Sequence, residues 1–125
     1  MTVAVFQREH EGYPGIVHGG ILCTAVDELM VSHLYHLGYI AMTVDLQVRF
    51  KLPVPCGEKI YFQSNVENLT KRLWIMSAQA KLPSGEIALT GRAKMMKARL
   101  EKKEEVSDHA KNTNPVIVTK MPGRV

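Results

Sequence analysis

GGILCTAVDELMVSHLYHL, residues 19–37, decides the fold. Ile21, Leu22, Ala25, Val26, Leu29, Met30, His33, Leu34 and Leu37 recur at helical spacing, and Gly38 stands where a C-terminal cap would. The spacing predicts one helix from about Gly19 to Leu37. Its apolar stripe is wide, because Cys23, Ala25 and Val31 leave few frankly polar positions. A helix that is apolar on most sides is buried on most sides. Its surroundings must therefore be large and curved.

The flanking sequence supplies them. Downstream, Met42, Val44, Leu46, Val48, Phe50 and Leu52 alternate with Thr43, Asp45, Gln47, Arg49 and Lys51, the period-two pattern of a strand with one face on a core. Pro53, Pro55 and Gly57 end it. Three further strand-like segments follow at about Lys59 to Leu69, Arg72 to Leu82 and Glu86 to Arg99, the last two joined by Pro83-Ser84-Gly85. Upstream, Thr2 to Phe6 is a short strand candidate, followed by the turn-rich His10-Glu11-Gly12-Tyr13-Pro14-Gly15. Successive strands joined by short turns make an antiparallel sheet. The expected architecture is α+β, one long central helix wrapped by a curved antiparallel sheet of about five strands. Such a sheet covers only part of the helix, and the apolar remainder implies a second copy, hence a dimer at minimum.

One domain, residues 1–99, accounts for this pattern. Residues 100–125 change character: Glu101 to Glu105 is a charge run, and the rest is polar apart from Val116-Ile117-Val118. The expectation is a charged, loosely ordered tail, the alternative being that the valine-rich triplet docks as an edge strand or on a partner. Hydrophobic residues make up 46% and charged residues 22%, as in ordinary globular proteins, and no run approaches a membrane span. Cys23 and Cys56 are the only cysteines, and no secretory pattern opens the chain. Both points favour a cytoplasmic location. The formal charge of +4 suits an anionic ligand. Nucleic acid is not expected, because the basic residues are scattered and stacking aromatics are few.

The chemistry-bearing stretch is Tyr13-Pro14-Gly15-Ile16-Val17-His18-Gly19-Gly20 with Asp27-Glu28 beyond it. The first turn of a helix presents unpaired N–H groups at the positive end of its dipole. Gly19 and Gly20 therefore suit an oxyanion hole. Asp27 lies two turns on, with Cys23, Thr24, Met30 and Val31 at one-turn spacing. Burying a bare carboxylate is costly unless it is paired or protonated. Asp27 is thus either a reactive acid or a satisfied one, bonded to backbone or to Thr43 for stability alone. Glu28 has Thr24 and Ser32 as helical neighbours and suits a polar surface better. Eight residues separate Gly19 from Asp27, roughly 12 Å along a helix. One carbonyl cannot touch both. A shared reaction centre requires two chains.

His18-Gly19-Gly20, with Asp27 nine residues after the histidine, resembles the hotdog-fold thioesterases of the phenylacetyl-CoA thioesterase type. The likeness continues through Thr43 to Gly57, a Thr-led strand ending in Pro-x-Pro-x-Gly, and covers roughly Gly12 to Lys97. The resemblance implies hydrolysis of an acyl-CoA, with Asp27 as general base or nucleophile and the Gly19 amide polarising the thioester carbonyl. It also implies that Thr43 assists the acid. His18 would lie at the substrate, and Arg49, Lys51 and Arg72 would meet the phosphates of coenzyme A, which is substrate rather than cofactor. A dimer of dimers is the implied assembly. There is one departure: related enzymes often carry a polar amide about six residues before the histidine, where this chain has Gly12, with His10 nearby.

Two other functions fit less of the pattern. A non-catalytic acyl-CoA sensor would not need Asp27 beside the glycine pair, and a hydroxyacyl-thioester dehydratase would need a histidine base where His18 does not stand. His33 and His36 lie three apart, but without third and fourth ligands no metal site is expected. Cys23, Trp74 and the Met95-Met96 pair read as core or interface.

Overall fold

In a computed structural model of the chain, residues 1–98 are described. The 99/100 boundary and the Val116-Ile117-Val118 triplet lie outside them. The elements are β1 (Thr2–Val5), a 3-10 turn (Arg8–His10), α1 (Gly19–His36), β2 (Ala41–Phe50), β3 (Lys59–Leu69), β4 (Leu73–Lys81) and β5 (Ile87–Lys97). All strand pairs are antiparallel, in the spatial order β1-β3-β4-β5-β2. The α+β arrangement is the expected one, but β2 is not followed in space by β3. The proline-rich segment after β2 carries the chain away from it, and β2 becomes an edge paired only with β5.

Helix α1 ends as its glycine predicts. Gly38 has φ 101°, its N–H donates to the Tyr35 carbonyl, and the Tyr39 N–H donates to the Leu34 carbonyl at 2.9 Å. This pair of bonds is a Schellman closure. Leu22, Ala25, Val26, Leu29, Met30, Leu34 and Tyr35 are buried, and with Phe6, Ile60, Phe62, Trp74, Met76, Leu89 and Met95 they fill the space between helix and sheet. Met96, in contrast, is exposed.

Three register shifts interrupt the ladders, between Thr43 and Asp45, Val66 and Asn68, and Ala80 and Lys81. Each bulge bends its strand and tightens the twist, which lets a flat ladder curve around a helix. The first also reverses the alternation of β2. Leu46 and Val48 pack on the core, but before the bulge it is Ala41 that does so, while Met42 and Val44 are exposed. Strict period two placed Thr43 away from Leu46. The bulge turns it to the helix side.

Gly91 sets how closely α1 approaches β5. A Cβ there would sit 2.9 Å from Val26 Cγ1, inside contact distance. Val26 is β-branched on a helix and has little rotamer freedom to yield. Gly91→Ala is expected to cost about 1–3 kcal/mol, read as a lower urea midpoint. In a Val26→Ala background the same substitution should cost less, because the opposing methyl is gone.

Candidate active site

The turn leading into α1 is tied down from both sides. The Val17 N–H donates to the Val54 carbonyl (2.9 Å), the Cys56 N–H to the Gly15 carbonyl (2.9 Å) and the His18 N–H to the His10 carbonyl (2.7 Å). The post-β2 segment and the 3-10 turn thus fix the start of the helix. Gly12 packs against His18, since a Cβ on it would lie 3.2 Å from His18 Cα. The backbone here leaves little room for a side chain at that position. His10 is buried, its Nδ1 accepts from the Gln7 N–H at 2.7 Å, and its Nε2 is buried without a hydrogen-bond partner among the described residues.

His18 is the N-cap of α1. Its Nδ1 accepts from the Gly20 N–H at 2.9 Å. Sequence alone leaves both glycine amides open, but the imidazole occupies one of them. The Gly19 N–H has no acceptor among the described hydrogen bonds and remains available at the positive end of the helix. Gly19 also lies against the Phe50 ring, with Cζ 3.5 Å from where a Cβ would stand. Ile16, Val17, Gly19, Leu22 and Phe50 to Val54 line a cavity of ≈ 350 Å³ there, apolar but for the Lys51 side chain.

Asp27 is half-buried, two turns along the same helix. The Thr43 hydroxyl donates to its Oδ1 at 2.6 Å, and the contact exists because the β2 bulge turns Thr43 inward. Asp27 Oδ2 has no partner among the described hydrogen bonds and is not sealed from solvent. One oxygen is held and one is open. Such an acid is positioned, yet able to take a proton or attack a carbonyl.

The remaining candidates separate. Arg49 and Lys51 are exposed at the Phe50 end of β2, and of the two only Lys51 lines the cavity beside Gly19. Arg72 precedes β4 at the opposite end, where Leu73 pairs with Met96 and Met96 with Met42. Seven residues of strand, about 23 Å, divide Arg72 from the level of Arg49. Within one chain the three cations do not form one site. Glu28 is half-buried. His33 Nδ1 and the Ser64 hydroxyl are 2.6 Å apart, and His36 Nδ1 lies 2.8 Å from the Ser32 carbonyl oxygen. Burial, then the positive charges of the N-terminus and His36, push the His33 pKa below its ordinary value. Burial raises the Cys23 thiol, and burial followed by Glu11 raises that of Cys56, so neither cysteine is an activated nucleophile.

Comparison with known proteins bears on this geometry. The family model described as thioesterase superfamily matches residues 14–88, from just before the glycine pair into β5. Acyl-coenzyme A thioesterase THEM4 of Xenopus laevis is 34% identical over 71 residues, 57% of this chain and 32% of that protein. The chain thus spans about a third of the length of the relatives it matches. The crystal structure of mouse thioesterase superfamily member 2 superposes with a TM-score of 0.69 at 21% identity, covering 77% of this chain and 78% of that one. The smu.793 protein of Streptococcus mutans, solved bound to acetyl CoA, gives 0.75 at 13% identity over 80% and 81%. Both likenesses cover the helix and the sheet together. The wrapped helix is the hotdog fold.

Proposed function

Because this chain belongs to the thioesterase superfamily, we propose that it hydrolyses acyl-CoA thioesters to the free acid and coenzyme A. The observation that carries the reading is Asp27, with Oδ1 held by Thr43 and Oδ2 open, on a helix whose first amide is free. The THEM4 relatives are named acyl-coenzyme A thioesterases, and smu.793 was solved with acetyl CoA, which supports the substrate class.

The reaction centre is assembled from two chains. Asp27 lies beside Thr43 near the start of β2, and Gly19 lies beside Phe50 at its end. Edge strands of this length rarely stay bare, and Met42, Val44 and Phe50 on β2 are all exposed. Antiparallel pairing of β2 with the β2 of a second copy, about a two-fold axis, lays the Thr43 end of one chain along the Phe50 end of the other. Asp27 of one copy then faces Gly19 of the other. On the outer face, Met42, Met96 and Leu73 form one exposed row across three strands, a surface that a dimer of dimers would cover.

The steps follow from these groups. The acyl chain enters the apolar cavity beside Gly19, and the thioester oxygen takes the Gly19 N–H. Asp27 Oδ2 removes a proton from water as it adds to the carbonyl carbon. The oxyanion forms against the helix N-terminus, where a fixed amide stabilises it without reorganisation. Collapse breaks the C–S bond, and the proton on Asp27 passes to the departing thiolate. In the alternative, Oδ2 attacks the carbonyl directly and the C–S bond breaks to release the thiolate; water then opens the anhydride, restoring the Asp27 carboxylate, and its proton passes to the thiolate. The two cysteines free of disulfides fit a reducing compartment, the cytoplasm. The test is release of free thiol from a panel of aryl, branched and straight-chain acyl-CoAs. Turnover of at least one class, with equimolar acid, is the expected result. No hydrolysis of any class would overturn the assignment.

A further inference from the structure

Arg49 and Phe50 are consecutive residues of β2, so their side chains leave opposite faces of the sheet. Phe50 borders the Gly19 cavity on the helix side. On the outer side, Gln47, Val48, Arg49, Thr90, Gly91 and Arg92 line a second cavity of ≈ 280 Å³. The register places Arg49 opposite Thr90 and Gln47 opposite Arg92. The two arginines are therefore diagonal neighbours, about 7–8 Å apart at the backbone. Both are exposed, and neither is in an ion pair among the described residues. The nearest acid on this face, Asp45, is opposite Lys94, four residues from Arg49 and diagonal to Arg92 on the side away from the cleft.

We propose that this outer cleft between β2 and β5 binds a phosphate of the coenzyme A nucleotide, gripped by Arg49 and Arg92. The inference rests on the acyl-CoA reading and adds to it a residue, Arg92, and a location. Two guanidinium groups converging on one polar hollow repel each other until an anion sits between them, and their planar forks match phosphate oxygens. The Thr90 hydroxyl and the Gln47 amide line the same hollow and add neutral donors. The apolar cavity offers no such grip. It receives the acyl end, and the chain of the substrate passes around the end of β2 from one cavity to the other.

Calorimetric titration of the full protein with coenzyme A, dephospho-coenzyme A and pantetheine, before and after Arg92→Gln, tests the site without requiring turnover. The variant is expected to weaken coenzyme A binding by about tenfold, the loss of one charge-assisted contact, and to leave pantetheine binding unchanged. A loss seen with coenzyme A but not its dephospho form assigns the 3′-phosphate, and a loss with both assigns the pyrophosphate. In turnover, KM for acyl-CoA should rise by the same factor while KM for the acyl-pantetheine stays constant. Unchanged coenzyme A binding in the variant, or an equal loss with pantetheine, would overturn the site while leaving hydrolysis standing. Absence of any hydrolysis by the native protein would strike the enzymatic reading instead, since the binding contrast is read separately.

Discussion

Replacing Asp27 with Asn is expected to remove acyl-CoA hydrolysis while the protein stays folded and assembled. The amide is nearly the shape of the carboxylate, and its oxygen still accepts from the Thr43 hydroxyl that now sits 2.6 Å from Oδ1. What disappears is the ability of Oδ2 to take a proton or form an acyl bond. A positioned general base contributes about 10²–10⁴-fold to rate, and a lost nucleophile costs more, so turnover should fall by at least that range. Asp27→Ala should do the same, with an added stability change because Thr43 loses its partner. The check is steady-state kinetics alongside size-exclusion chromatography and circular dichroism. Wild-type rates in Asp27→Ala would mean that Asp27 is only a satisfied structural acid, as its bond to Thr43 alone would allow.

Gly19→Pro is expected to give the second large effect, and the fold tolerates it. Proline at the first helical position is well tolerated, because the N–H it lacks has no partner within the helix. His18 already has φ −62° and ψ 135°, the extended backbone that a residue before proline requires. A Cβ at Gly19 meets the Phe50 ring at 3.5 Å, an ordinary contact. The substitution thus replaces the amide hydrogen with the ring Cδ, removing the donor and filling the space in front of it without breaking a hydrogen bond of the helix. Loss of one oxyanion donor costs about 10²–10³-fold in kcat. Gly20→Pro should act differently: it breaks the bond from the Gly20 N–H to His18 and disturbs the cap itself.

Much of this was legible in the residues. The wide stripe of α1, its Gly38 cap and the limits of β3 follow from local pattern, which is strongest in long periodic segments. Neighbour relations were not. Alternation says which face a residue takes, not which strand lies beside it, so the pairing of β2 with β5 could not be read. The bulge at Val44 also defeats a strict period-two reading and places Thr43 on the side where Asp27 needs it. There the motif resemblance put Thr43 with Asp27, which the hydrogen bond between them matches, although the pattern pointed Thr43 to the other side. Two further features had a usable signal. A lone glycine inside a strand pattern marks a close approach, as Gly91 does beneath Val26. His18, one residue before the helix, stands where a side chain caps. Arg92 gave none, because its place beside Arg49 exists only once β2 and β5 are in register.

Everything mechanistic depends on the acid and the amide coming from different copies of the chain. Mixing the Asp27→Ala and Gly19→Pro proteins under conditions that exchange subunits measures this directly. Each homodimer is inactive, but every mixed dimer carries one site built from an intact Asp27 and an intact Gly19. Random assortment makes half the dimers mixed, so about a quarter of wild-type activity should return. Putting both substitutions in one chain and mixing it with wild type gives the opposite arithmetic, leaving every mixed dimer with two broken sites. Recovery in the first mixture and none from the mixed dimers of the second is the predicted result. If exchanged subunits recover nothing in the first mixture, yet the double-substituted chain leaves its wild-type partner's site working, both groups act within a single chain and the account is contradicted.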